Sequence, residues 1–342
     1  MRIQNSEDNQ HALSEKGAVG IRGVVRVVSP LFFYLLATAI VEGILSMLFV
    51  LFVRAAVTET ATEGITPFLA KNAYWLLAAG SGVLLPVFFL RQYREDWKLR
   101  VAVRADGKLH FAERESGVQK EKLLSKWRRI PQKGLLLLTS FAAALALTAL
   151  VNLIGAVVPQ ALHGAAEVNA AMQETSLTVI LIVTVLIVPF FEELIFRGLL
   201  YRRMRDYLGF WTSAALSAFC FGFLHGFAAQ SLFAFGMGLF FAWVYERCNM
   251  LYAAVFVHAT ANAVNFVWLA LQRMAAAAAY AQGTGFFGKQ PQLEWIAGNS
   301  GGIALLLFLC AGAAFLKLAA LLSEKLPREQ YILFAKTQTE QK

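Results

Sequence analysis

The chain has 342 residues, of which 58% are hydrophobic and only 15% charged, where a soluble domain carries roughly 25% charged residues. So little polar surface does not cover a water-facing globule, and this excludes disorder, a coiled coil and a disulfide scaffold. What remains is an all-α, polytopic bundle of transmembrane helices, about eight spans by the length a bilayer requires. The 31 Lys+Arg against 22 Asp+Glu, a net charge of +9, reads as cationic loops facing anionic lipid on the cytoplasmic side. It does not read as a nucleic-acid surface.

In chain order, residues 1–28 form a polar, cytoplasmic N-terminal segment with Arg2, Lys16, Arg22 and Arg26. The apolar run that follows is too long for a cleavable signal peptide and is expected to be an uncleaved anchor. Eight spans are predicted, over Pro30–Val53, Pro67–Leu90, Gly134–Val158, Ser176–Leu200, Gly209–Phe227, Ser231–Tyr245, Met250–Leu271 and Gly302–Leu322. The sixth is short. They group into an N-terminal part of three spans (29–158) with a basic loop (91–133), a four-span part (176–271), a C-terminal span (302–322) and a cytoplasmic tail (323–342). No internal repeat is visible, so the inverted-repeat mark of many transporters is missing.

Orientation follows from the cations. The segment Arg91–Lys133 holds 13 Lys/Arg, whereas Ala55–Thr66 and Pro159–Thr175 hold none. With eight spans and a cytoplasmic N-terminus, Arg91–Lys133, the cluster Arg202, Arg203 and Arg205, and the C-terminal tail all fall inside. The expected location is therefore a bacterial cytoplasmic membrane, with both termini cytoplasmic. Within the basic loop, Leu99, Val101 and Val103 alternate with polar residues, Asp106-Gly107 marks a turn, and Leu109 and Phe111 resume the alternation. That pattern predicts a β-hairpin with a two-residue turn. Cys220, Cys248 and Cys310 have no metal-type spacing and read as small apolar residues.

Ionisable groups inside spans are costly and tend to mark function. They cluster in the fourth, fifth and seventh spans, as Pro189-Phe190-Phe191-Glu192-Glu193-Leu194-Ile195-Phe196-Arg197, Phe221-Gly222-Phe223-Leu224-His225 and His258-Ala259-Thr260-Ala261-Asn262. Glu193 and Arg197 are four apart and share a helical face as an ion pair. Glu192, about 100° away around the helix, is left to face elsewhere. His258 and Asn262 are also four apart. Pro189 removes a backbone hydrogen bond and is expected to kink the helix. One carboxylate, two imidazoles and an amide thus converge from three helices. Two chemistries fit. A carboxylate beside a histidine takes a proton from water while histidine or asparagine donors hold an oxyanion. Alternatively, two histidines and a glutamate are a ligand set for catalytic zinc.

The motifs Glu-Glu-x-x-x-Arg, Phe-x-x-x-His and His-x-x-x-Asn, each on its own span, resemble those of the CPBP intramembrane proteases, also called the Abi or CAAX-protease family. The resemblance covers roughly residues 176–271. It implies that Glu192 activates water with His225 beside it. His258 and Asn262 would stabilise the oxyanion, or Glu192, His225 and His258 would bind a metal, with zinc as the cofactor and a metal-free glutamate mechanism as the alternative. Glu193 and Arg197 would hold the site in shape. The implied activity is an intramembrane endopeptidase acting on a membrane protein or lipidated peptide, with the lipid bilayer as its medium. Two alternatives stand beside it, an inactive immunity or binding protein on the same scaffold and a proton-coupled transporter. His-Glu-x-x-His and Gly-x-Gly-Asp motifs are absent from the sequence.

At about 1.5 Å per residue, His225 lies roughly 24 Å above Gly209 but Glu192 only about 15 Å from Arg202. A fifth span beginning late, near Ser213, or tilting strongly would bring them level. Glu42, midway along the first span, reads as a protonated carboxyl bonded to a neighbouring helix, with substrate gating as the alternative.

Overall fold

The computed structural model describes residues 21–57, 72–73, 76, 89–94, 101–105, 108–112, 132–158, 172–205, 207–226, 228–248, 250–281 and 300–326. Its helices are α1 (Ile21–Val57), α2 (Lys133–Val157), α3 (Leu177–Arg205), α4 (Phe210–Phe223), α5 (Ala228–Cys248), α6 (Leu251–Ala281) and α7 (Ser300–Lys325). Among the described residues six helices are long and apolar enough to cross a membrane, and α4, at 14 residues, falls short of that length. The expected all-α polytopic bundle is what forms. The predicted span Pro67–Leu90 lies largely outside the described residues.

Several boundaries differ from expectation for physical reasons. Helix α1 begins at Ile21, inside the segment read as polar and cytoplasmic. Helix α5 is a full-length span of 21 residues, not a short one. Helical structure runs on through Gln230 at one end and through Glu246 and Arg247 at the other, where hydropathy alone would end it. Glu246 is held there by the Tyr201 hydroxyl at 2.6 Å and by Arg205 at 2.7 Å. Helix α4 starts at Phe210 rather than near Ser213. It ends in a turn where His225 N–H reaches the Gly222 carbonyl and Gly226 takes φ +89°, a left-handed conformation that suits glycine. Gly222 lets α4 and α5 approach closely, since a Cβ there would lie 2.6 Å from the Ser231 carbonyl oxygen.

The hairpin is present. Strands β1 (Val101–Ala105) and β2 (Lys108–Ala112) pair antiparallel, with Val101 opposite Ala112 and Ala105 opposite Lys108.

Helix α3 is not a regular α-helix. Two π-helical stretches, Leu181–Ile187 and Leu194–Tyr201, flank an α-helical turn, Val188–Glu193, that carries the two glutamates. A carbonyl in each π stretch accepts a side-chain hydrogen bond from another helix. Asn262 of α6 donates to Thr184, and Ser217 of α4 donates to Phe196. π-turns open the backbone ladder, and here neighbouring helices use the opened positions. A proline has a similar effect in α1. Pro30 cannot donate to the Arg26 carbonyl four residues back, and that oxygen accepts instead from Arg203 at 3.0 Å and from Ser29 at 3.2 Å. The bond docks the N-terminal end of α1 against the C-terminal end of α3.

The core lies where α3, α4, α5 and α6 meet, around Leu194, Leu199, Tyr201, Phe221, Phe241, Tyr245 and Val257, all buried. Helix α7 packs along α2, and α2 touches α5 and α6. Much of the length of α1 is exposed and apolar, including Phe32, Leu36, Ile40, Leu48 and Leu51. A lipid-facing surface has that composition.

The contacts of Arg26 with Arg203, of Arg205 with Glu246 and of Arg247 with Ser323 bring four helix ends to one end of the bundle. Cations gather there, and the expectation that this end is cytoplasmic rests on that asymmetry. Membrane-impermeant thiol reagents added outside intact cells are expected to leave cysteines introduced within Arg91–Lys133 unlabelled, in a background where the exposed Cys310 is replaced. Ready labelling would reverse the orientation.

Candidate active site

The site is built from the middle of α3, the turn after α4 and the first half of α6. The Glu193–Arg197 pair forms as its spacing predicts. Arg197 Nη1 donates to Glu193 Oε1 at 2.9 Å, and both side chains are 0% exposed. Arg197 Nη2 also donates to the Gly238 carbonyl at 3.0 Å, which ties α3 to α5. Its guanidinium lies 4.6 Å from the Phe221 ring centre and 5.3 Å from that of Phe241. A buried cation is thus met by one carboxylate, one carbonyl and two aromatic faces.

His258 extends this chain. Its Nδ1 donates to Glu193 Oε1 at 2.9 Å, so one carboxylate oxygen serves both Arg197 and His258. That contact assigns the proton to Nδ1, because an ionised carboxylate only accepts. Nε2 then faces Glu192, with 3.6 Å to Oε2. The Glu192 side chain is 18% exposed, against 5% for His258 and 0% for Glu193. Adjacent carboxylates therefore occupy different surroundings, one sealed and multiply bonded, the other reaching an accessible edge.

His225 stands nearby by way of Phe221. Its ring is 4.6 Å from the Phe221 ring centre, and the His258 ring is 5.7 Å from the same centre. His225 Nδ1 donates to the Phe221 carbonyl at 2.7 Å, which leaves Nε2 as the acceptor of the neutral ring. Asn262 Nδ2 donates to the Thr184 carbonyl at 2.7 Å, and Thr184 Oγ1 donates to the Ile180 carbonyl at 2.8 Å. Ser140 of α2 donates to the carbonyl of Val257, the residue before His258.

The structure thus joins Glu193, Arg197 and His258 in one hydrogen-bonded chain and sets Glu192 beside it, 3.6 Å from His258, with His225 reached through Phe221 and Asn262 one turn beyond His258. Glu193 has a role that sequence spacing did not reveal, as the partner of His258 as well as of Arg197. Phe241 was also missed. It stacks on the His258 ring at 4.6 Å with planes 22° apart, and it lies on α5, outside the three motifs. Its only sequence signal is a place in an aromatic stretch. Glu42 is half-buried on α1.

The expected metal set of Glu192, His225 and His258 fits less well. Among the described residues no three His, Cys, Asp or Glu side chains are grouped to hold a metal ion.

A helix bundle carrying a carboxylate–imidazole cluster on three apolar helices has the makings of a membrane-embedded hydrolase. Comparison with known families agrees. Residues 174–264 match the family model described as Type II CAAX prenyl endopeptidase Rce1-like, so this stretch of the chain is a domain of the CPBP, or CAAX-protease, family. No curated protein and no solved structure matches the chain. The matched segment contains Glu192, Glu193, Arg197, His225, His258 and Asn262. The family matched by residues 174–264 is one of proteases, and the six long apolar helices have the length and composition of membrane spans.

Proposed function

We propose that the chain is an intramembrane endopeptidase in which Glu192 is the base that activates water. The observation that supports this most directly is the contrast between the two adjacent carboxylates. Glu193 is sealed and accepts from both Arg197 and His258 on Oε1, while Glu192 is partly exposed and lies 3.6 Å from His258 Nε2. In this reading Glu192 takes a proton from water as the water oxygen attacks the carbonyl carbon of the scissile peptide, and His225 would assist through its free acceptor Nε2. His258, when protonated at both ring nitrogens, donates from Nδ1 to Glu193 and from Nε2 to the oxyanion. Asn262 adds its remaining amide N–H. The C–N bond then breaks, and the proton held by Glu192 passes to the leaving amine.

The arrangement of donors supports the metal-free glutamate form of this chemistry over the zinc form, and no step above requires a metal. The substrate class we infer is a membrane-associated protein or peptide, with a prenylated CAAX end as the first candidate on the family's description.

Purified protein in liposomes is expected to cut a prenylated CAAX-terminated peptide faster than the same peptide without its lipid. A strong chelator is expected to leave the rate within about twofold. Loss of activity on chelation with recovery on adding zinc would restore the metal reading. Failure to cut any membrane-inserted peptide would refute the endopeptidase.

A further inference from the structure

Asn262 donates to a carbonyl that the backbone has left open, and the cause lies in the sequence five residues further along α3. In the π stretch Leu181–Ile187 an N–H reaches the carbonyl five residues back, and the N–H of Val188 accordingly binds the Val183 oxygen. The next carbonyl, that of Thr184, would take its donor from residue 189. That residue is Pro189, which has no N–H. Neither residue 188 nor residue 189 therefore serves the Thr184 oxygen. A carbonyl of a membrane-spanning helix left without a donor is costly, and Asn262 Nδ2 supplies the donor at 2.7 Å from α6. The bond also fixes the amide's orientation, since a carbonyl only accepts and the atom facing it must be nitrogen.

We propose that Pro189 is a positioning residue for Asn262: by withholding a backbone donor from Thr184 it creates the acceptor that anchors and orients the Asn262 amide. One N–H of Asn262 goes to Thr184, and the role proposed above for Asn262 uses the other on the reacting oxygen. This inference rests on the role given to Asn262 in the proposed function, and it makes one prediction that is independent of that role. An ordinary helix-interior proline is destabilising, so replacing it should improve the fold without harming chemistry. Here the same replacement should improve or preserve the fold and harm the chemistry.

The test uses Pro189→Ala in the full chain, alone and combined with Asn262→Ala, with kcat, KM and thermal unfolding measured in liposomes or detergent. Alanine at 189 restores an N–H that competes for the Thr184 oxygen and releases the Asn262 amide. Pro189→Ala is expected to keep Tm at or above that of the parent, to lower kcat by about 10–100-fold and to leave KM within about twofold. In the Asn262→Ala background the same change should lower kcat no further. On stability alone, Asn262→Ala should lower Tm in the parent, where it orphans Thr184, and by less than half as much in Pro189→Ala. An unchanged kcat, or a kcat loss repeated in full without Asn262, would overturn the proposal. So would equal Tm losses in the two backgrounds. Should the alanine variant fail to fold, Pro189→Leu restores the same N–H and is read the same way. A Tm pattern as expected, in a protein that cuts no peptide, would count against the endopeptidase reading and not against the Pro189–Asn262 coupling.

Discussion

Arg197→Ala is expected to lower the yield of folded protein and to reduce Tm by on the order of 10 °C. Removing the guanidinium leaves Glu193 fully buried with a single donor, His258, on an oxygen that now has two. Breaking a buried ion pair from one side costs about 3–5 kcal/mol, because the surviving charge keeps its desolvation penalty. The loss extends beyond the pair. Arg197 also bonds the Gly238 carbonyl and lies against Phe221 and Phe241, so α3, α4 and α5 are joined through it. Arg197→Lys is not expected to restore the fold fully. An ammonium is a point charge and does not present the planar fork that meets Glu193 and Gly238 together. Thermal unfolding of the three proteins in one detergent decides the matter. Parent-like Tm in Arg197→Ala would show that His258 alone satisfies Glu193 and that the guanidinium is dispensable.

How much of this was legible in the sequence depends on how local each interaction is. The Glu193–Arg197 pair was readable because i,i+4 contact survives the local departure from α-helical geometry in α3. The β1–β2 hairpin was readable from alternation over a few residues. The bond from His258 to Glu193 was not, since it joins residues 65 apart in sequence and depends on how α6 crosses α3. The π stretches were hidden because a run of Leu, Ile and Val looks alike at either helical period. Pro189 is visible in the sequence as a residue without an N–H, but which carbonyl that leaves open depends on the π register and on the position of Asn262. Hydropathy misjudged α5 because Glu246 is satisfied by Tyr201 and Arg205, partners that lie 45 and 41 residues away.

The central claim is that Glu192 supplies the base and that its neighbours supply its surroundings. The Glu192→Gln change retains size and hydrogen-bonding capacity and removes the proton acceptor. It does so at an edge of the site where the side chain is partly exposed, so the fold should be indifferent to it. A hydrolase deprived of its general base is expected to lose about 100–10,000-fold in rate from that step alone. The measurement is the single-turnover cleavage rate of a membrane-inserted peptide by Glu192→Gln and parent proteins in the same liposomes, with Tm recorded for both. The account predicts a loss of at least two orders of magnitude with Tm unchanged. Parent-like cleavage by the folded Glu192→Gln protein would contradict it.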